Sequence, residues 1–314
     1  MAIKYWVGNG GNWSDTAHWS LSSGGSGGAA VPTKDDPVIF DSNSITTSGQ
    51  IVVVYDTIAV CCAGIDFSLI TTGFMLTDYE HLNIFNGTLK LSPLLTIRFL
   101  YSSRGFRFVD GACDIYCNGA TCKLWCFGDY VPKIGAAVIP TITLRDTVTV
   151  SEFNFFSHEC VFNTNDESVN VTDFKIICYE ESTVNLGSSV INCSESFQLV
   201  VSTVVNSSAT ITVGNSAEFS CYNADSLEAP ITFFNHLIFD PSVGVDTYAE
   251  LSFYFNNSVY NSYAGKVYGN TIQVLPGFTN FYFNSYCNFS DVYLHLNDLS
   301  VCGSPERQLS GLRR

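Results

Sequence analysis

Residues 169–221, VNVTDFKIICYEESTVNLGSSVINCSESFQLVVSTVVNSSATITVGNSAEFSC, alternate apolar and polar side chains through most of their length. Val169/Val171, Phe174/Ile176/Cys178, Val184/Leu186, Ile191/Cys193, Phe197/Leu199/Val201, Ala209/Ile211/Val213 and Ala217/Phe219/Cys221 carry the period of two that buries one face of a strand. Equivalent positions recur, 23 residues from Phe174 to Phe197 and 22 from Phe197 to Phe219. A unit of two or three strands therefore repeats. Solenoids and propellers repeat at about 20 to 50 residues, but a propeller blade needs about 40 for its four strands, roughly twice this unit. The spacing predicts an all-β chain folded as a right-handed parallel β-helix, each coil pairing with the coils before and after it.

Working outward, similar phrases occur earlier at Gly64-Ile65-Asp66-Phe67, Leu82-Asn83-Ile84-Phe85, Phe106-Arg107-Phe108 and Leu124-Trp125-Cys126. The rival architecture is a β-sandwich or jelly roll, whose strands come every 8 to 12 residues or so. Regularly spaced Asn-Gly and Asp-Gly hairpin signals would favour the rival. Such pairs occur only at Asn9-Gly10, Asn86-Gly87, Asp110-Gly111 and Asn118-Gly119, which leaves it open. Four segments follow. Residues 1–40 form a Trp- and Gly-rich cap or attachment segment with a flexible Ser/Gly/Ala run at 22–30. Residues 41–230 form the β-helix body. Residues 231–302 form an aromatic-rich β region continuing the solenoid, and 303–314 a polar tail.

Composition sets the outer limits. The chain has 314 residues, 14% charged and 46% hydrophobic, with 14 Lys+Arg against 29 Asp+Glu and a net charge of −15. So few charges exclude coiled coils and long solvated helices. The acidic balance argues against a nucleic-acid partner, which needs a basic patch. Abundant aromatics exclude a disordered chain. No apolar run approaches the 18 or so residues of a membrane span, and the start, with its early Trp and Gly, does not read as a signal peptide.

Twelve cysteines are dispersed along the chain, several in alternating strand patterns as small buried hydrophobes. Cys113, Cys117, Cys122 and Cys126 form a C-x3-C-x4-C-x3-C cluster that also admits a zinc reading, though structural zinc favours tighter C-x2-C knuckles. The expectation is no metal and no cofactor. The seven N-x-S/T triplets, at Asn12, Asn86, Asn170, Asn192, Asn206, Asn256 and Asn288, read as chance products of a chain rich in Asn, Ser and Thr.

The most distinctive segment is Tyr5-Trp6-Val7-Gly8-Asn9-Gly10-Gly11-Asn12-Trp13-Ser14-Asp15-Thr16-Ala17-His18-Trp19-Ser20, followed by Pro32 and Asp36-Pro37-Val38-Ile39-Phe40-Asp41. It resembles the G-x-G-N-W-S-x-x-x-x-W opening and the P-x-x-x-D-x-V-x-F-D phrase of phage virion, tail-fibre-like and adhesin-like proteins that continue into a parallel β-helix. The likeness covers the first forty residues or so. Physically the motif reads as a cap: a solenoid end exposes an apolar cross-section and unpaired edges, and Trp6, Trp13 and Trp19 are suited to covering them. A sugar-binding or catalytic site at Trp13, Trp19 and His18 is the alternative.

No catalytic motif converges. There is no G-x-S-x-G elbow, H-E-x-x-H or phosphate loop, and His18, His81, His158, His236 and His295 are isolated. Asp78 with Glu80, Asp166 with Glu167, Glu180 with Glu181, and Asp225 with Glu228 are carboxylate pairs for glycan hydrolysis, but adjacent strand residues point to opposite faces. The leading expectation is therefore a non-enzymatic virion structural protein, a tail-fibre or spike-like component that binds host surface glycans. Exposed rings in 231–296 would be the contact surface, with Tyr254, Tyr260, Tyr263, Tyr268, Tyr282 and Tyr286 as binding residues. The resemblance implies partners among other virion proteins and a homo-oligomer, a trimer. A polysaccharide lyase or hydrolase on the same scaffold and a β-sandwich capsid or decoration protein are the alternatives.

Overall fold

A computed structural model describes residues 1–55, 60–78, 81–100, 105–128, 139–157, 160–178, 182–201, 204–222, 231–244, 248–256, 266–274, 280–287 and 293–301. From residue 252 on, the description is of backbone and strand pairing. The protein is all-β, and its strands stack in parallel ladders as a right-handed parallel β-helix. The sandwich alternative fails on strand direction. A sandwich is built from antiparallel hairpins, whereas among the described residues the coil-to-coil pairs are parallel. The chain divides into two compact units, Met1–Phe153 and Asn154–Arg314.

In the first unit the coils lay short strands on three faces, those beginning at Val38, Ile65 and Thr88 on all three. The first face runs Lys4–Trp6, Val38–Ile39, Ile65–Asp66, Thr88–Lys90, Ala112–Tyr116, Thr141–Leu144. The second runs Gly11–Asn12, Gln50–Val54, Phe74–Asp78, Leu95–Phe99. The third runs Val60–Cys62, Leu82–Phe85, Phe106–Val109, Leu124–Gly128. Because coils stack in register, inward residues form columns: Val38, Ile65, Leu89, Ile115 and Leu144 on the first face are all buried, with Lys4 at the head of the same column. Each such side chain contributes about 1.5–3 kcal/mol by leaving water.

The Asn-Gly and Asp-Gly pairs are not hairpins. Asn86-Gly87 and Asp110-Gly111 turn the chain from the third face onto the first, between parallel ladders. Asn86 and Asp110 take the left-handed conformation, φ 45° and 71°, which short polar side chains tolerate. Successive corners also bond to each other. The Asn86 N–H donates to the Asp110 carbonyl at 3.1 Å, and its Oδ1 accepts from the Ala112 N–H at 3.1 Å. A Cβ on Gly87 would collide with the Ala63 carbonyl of the coil before, so this stack admits only glycine there. The turn from the first face to the second is held differently, by an aspartate that caps its own bend. Asp66 Oδ1 accepts from the Ser68 N–H at 2.9 Å, and Asp41 Oδ1 from the Asn43 N–H at 2.9 Å.

In the second unit two of the three faces merge into single long bent strands. Val169–Cys178 pairs with Val190–Val201 through a register shift between Val171 and Asp173. Val190–Val201 in turn pairs with two separate strands, Thr210–Val213 and Ser216–Tyr222. The remaining face carries Val161–Asn163, Thr183–Gly187 and Val204–Ser207. Val169, Ile191, Ile211 and Leu237 form one buried column. Phe174 pairs with Phe197, as the sequence spacing predicts. The next step does not hold: Phe197 pairs with Ala217, and Phe219 with Leu199, because this coil is shorter than the one before it. The rings still meet, Phe197 and Phe219 lying 5.5 Å apart, since alternate residues on a strand share its inner face. Beyond this, Ile231–Phe239, Lys266–Val274 and Tyr293–Val301 form one parallel series, and Tyr248–Asn256 and Asn280–Cys287 extend another.

Candidate functional site

The N-terminal motif folds as an aromatic nest on the first coil. Trp6 lies on the first strand and Trp19 on Trp19–Ser20, which pairs antiparallel along the free edge of that strand with Trp6 opposite Trp19. Their rings meet edge to face at 5.1 Å, and Trp13 meets Trp19 at 4.8 Å. Trp6 stacks on Phe40 at 5.5 Å, and Phe40 on Phe74 at 5.4 Å, so the nest continues into the aromatic core of the next coil. Two indoles find backbone acceptors: Trp6 Nε1 donates to the Asn9 carbonyl at 2.5 Å and Trp19 Nε1 to the Trp13 carbonyl at 2.6 Å.

His18 ends a short turn, Thr16–His18, begun by Asp15, whose carboxylate accepts from the Ala17 N–H at 2.9 Å. Its ring stacks on Trp6 at 4.7 Å and lies against Gly11, where any Cβ would overlap the imidazole. Nδ1 sits 2.8 Å from the Val7 carbonyl, an acceptor only, so this nitrogen carries the proton. The chain has both Gly10 and Gly11 where the motif has one glycine before Asn-Trp, and both are needed: a Cβ on Gly10 would press on the Ile51 backbone at 2.8 Å. Trp6, Trp13 and Trp19 are each no more than 1% exposed. An indole buried on both faces offers no platform to a sugar, so the nest closes the coil and is not a binding cleft.

The tyrosines expected to bind ligand divide in two. Tyr260 and Tyr263 lie outside the described residues. Tyr254, Tyr268, Tyr282 and Tyr286 stand on strands whose backbone is described, Tyr254 in register with Tyr286 and Tyr282 with Glu250, while their side chains lie outside the described residues.

The four clustered cysteines are spread over two strands and the turn between them. Cys113 lies on Ala112–Tyr116 and Cys126 on Leu124–Gly128, on different faces of the coil. Cys113, Cys117 and Cys126 are fully buried. Burial pushes the Cys113 and Cys122 thiols up to about 11, and those of Cys117 and Cys126 further still, with the Asp146 carboxylate adding to the effect on Cys117. Among the described residues no group of three or more His, Cys, Asp or Glu is placed to hold a metal ion. Asp146 is occupied structurally, accepting from the Cys117 and Asn118 N–H groups at 2.6 Å each.

Of the carboxylate pairs, Glu80, Glu180, Glu181, Asp225 and Glu228 lie outside the described residues, as does the side chain of Asp78. Asp166 is a corner residue. Its Oδ1 accepts from the Ser188 N–H of the next coil at 2.6 Å, which holds the carboxyl below its ordinary value. A carboxylate ionised in this way and bound to backbone suits a turn, not proton transfer.

The residues that sequence inspection missed lie on the outer faces. Asn185 Nδ2 donates to Asn163 Oδ1 at 2.6 Å, and Asn192 Nδ2 to Asn170 Oδ1 at 2.9 Å, each pair one coil apart, with Asn206 at the next register position after Asn185. In the first unit the same kind of position carries ion pairs, Asp66 with Lys90 at 3.0 Å and Asp114 with Arg145 at 2.7 Å. The available signal was the regular spacing of asparagines at polar positions of the alternation. Three of them, Asn170, Asn192 and Asn206, begin N-x-S/T triplets, and Asn170 and Asn192 bond to each other across coils. Such ladders repeat at the strand spacing of about 4.8 Å. They offer donors and acceptors to an extended polar ligand and contain no nucleophile.

The fold thus defines the protein as a parallel β-solenoid closed at its first coil by buried tryptophans. The chain matches no protein-family model, no curated protein and no solved structure. No helix among the described residues is long and apolar enough to cross a membrane.

Proposed function

We propose that this protein is a virion structural component of the tail-fibre or spike type, with the outer faces of a β-helix as its working surface. Its partners in this reading are other virion proteins, host surface glycans and copies of itself, and it catalyses no reaction. The observation that carries the reading is that residues 5–41, the segment resembling the opening of phage fibre-like proteins, are built as the closed first coil of a parallel β-helix. The amide ladders support the glycan part of the reading, since stacked donors and acceptors at fixed spacing suit a chain of hydroxyls.

The test is location followed by binding. Mass spectrometry and immunogold labelling of purified particles should find the chain in the virion, on its exterior. A chain expressed in infected cells but missing from particles overturns the proposal. Full-length protein on a glycan array should retain surface polysaccharide without releasing new reducing or unsaturated ends. Release of such ends would replace the structural reading with a depolymerase.

A further inference from the structure

Three of the four tryptophans are shut inside the first coil, each no more than 1% exposed. The fourth, Trp125, is placed the other way. On Leu124–Gly128 the alternation buries Leu124 and Cys126 and turns Trp125 and Phe127 outward, both half-buried. Two large apolar rings thus stand two positions apart on one outer strand face, where they fill no core.

The neighbouring coils supply what surrounds them. Cys61, Asn83, Arg107 and Phe127 follow one another in register along the third face. Asn83 and Arg107 are also outward and half-buried. In a chain of net charge −15 this column therefore carries a cation and no acid. Arginine offers only donors, and asparagine offers two donors and an acceptor. Phe127 is held in place. Its ring meets His81 edge to face at 4.7 Å, and Gly105 leaves it room, since a Cβ there would come within 3.2 Å of Phe127 Cε2. His81 is itself buried, with Nδ1 3.3 Å from the Gly105 carbonyl. A ring anchored in this way gives up little freedom when a ligand lands on it.

We propose that Trp125 and Phe127 form a carbohydrate-binding platform on the third face. A pyranose of a surface polysaccharide lays its C–H face on the two rings, and Arg107 and Asn83 bond the oxygens at its rim. Small-ligand sites combine aromatic lining with a few placed polar groups, and a sugar ring, apolar on its face and polar around its edge, matches both. Two rings are too little for a stable protein interface, which needs about 800 Å² from each partner. The inference rests on the glycan part of the functional proposal and gives it a location in the first unit, apart from the amide ladders of the second.

The full chain and its variants are compared on an array of neutral and uronate-containing oligosaccharides. Trp125→Ala should weaken retention about tenfold, the worth of one stacked ring, and Trp125→Phe should restore part of it. Tyr116→Ala, which removes an outward ring from the first face, should leave retention unchanged. Tryptophan fluorescence reads the same site independently. Because the other three indoles are buried, acrylamide should quench Trp125 selectively, and the best-retained oligosaccharide should shield it. Retention unchanged in Trp125→Ala, or quenching that the oligosaccharide leaves unaltered, overturns the platform while the functional proposal stands. If the wild-type chain retains no oligosaccharide, the platform and the glycan part of that proposal fall together, and particle labelling still decides the virion part. Quenching that falls as protein concentration rises without sugar assigns the rings to a second copy and also overturns the platform. If Trp125→Ala fails to fold, shielding of the wild-type protein decides alone.

Discussion

The coils at 38–144 and those at 161–221 solve the same problem with different corners. Bonds between neighbouring coils measure the difference. In the first set Lys90 reaches back 24 positions to Asp66 and Ala112 reaches back 26 to Asn86. In the second set Asn185 to Asn163 and Asn192 to Asn170 each span 22, and the coil from Phe197 to its partner Ala217 is shorter again. The first set breaks its coils from Val38 to Val109 into three short strands each and packs glycine against the backbone of the coil before, as at Gly87, while left-handed Asn or Asp serves at corners in both sets. The second dispenses with one corner by bending a strand of 10 to 12 residues, and its order comes from columns of Phe, Leu and Val inside and amides outside. A solenoid tolerates both because each coil answers only to its neighbours.

That contrast can be broken most severely in the second set. Phe197→Ala removes a ring packed between Phe174 at 5.8 Å and Phe219 at 5.5 Å, and thermal or denaturant unfolding should show a loss of about 3–5 kcal/mol. A loss under about 1 kcal/mol would mean that the column is not what orders these coils. In the first set the corresponding weak point is backbone. Gly87→Ala drives a methyl into the Ala63 carbonyl and should cost about 1–3 kcal/mol by the same measurement. Gly119→Ala sharpens the point, because nothing lies within 4 Å of its Cβ position and only its φ of 73° resists. It should cost about 1–2 kcal/mol.

Smaller effects separate the outer surfaces. Asn185→Ala cuts an amide ladder and should lower stability by about 0.5–1.5 kcal/mol in chemical denaturation. The smallest concerns acid. Burial pushes the Asp36 carboxyl up, but hydrogen bonds from the Ala2 N–H and from the Thr33 hydroxyl and N–H, with the Lys4 charge nearby, bring it below its ordinary value of 3.8. A carboxyl whose folded value is depressed stabilises the fold above its unfolded value, and that contribution is lost as pH falls from about 5 through the folded value. Asp36→Asn should therefore flatten the acid limb of a melting-temperature profile between about pH 5 and 3, leaving its slope near pH 7 unchanged.

The residues legible in sequence were those whose period survives the corners. Alternation at 169–221 identified strands, their buried faces and the Phe174–Phe197 register, because a strand shows its burial at every other residue. The Phe197–Phe219 step misled, since Phe219 lies two positions beyond Ala217, the true partner of Phe197, and a slip of two keeps the same face inward. The Asn-Gly and Asp-Gly pairs misled for a related reason. Left-handed backbone serves a hairpin and a solenoid corner equally, and only the direction of the next strand tells them apart. The burial of Trp6, Trp13 and Trp19 was readable from residue type, whereas the His18–Gly11 contact and the Asp146 clasp on Cys117 and Asn118 join positions that only the folded chain brings together.

By itself the sequence determined that this protein is built of stacked short strands with an aromatic start and little charge, because burial periodicity and composition are local properties of the chain. Tertiary structure alone decided which residues share a column, that Cys113, Cys117 and Cys126 are buried, and that asparagines one coil apart bond to each other. Those are relations between positions a whole coil apart, set by how long each corner is, and corner length is fixed only when one coil closes onto the next.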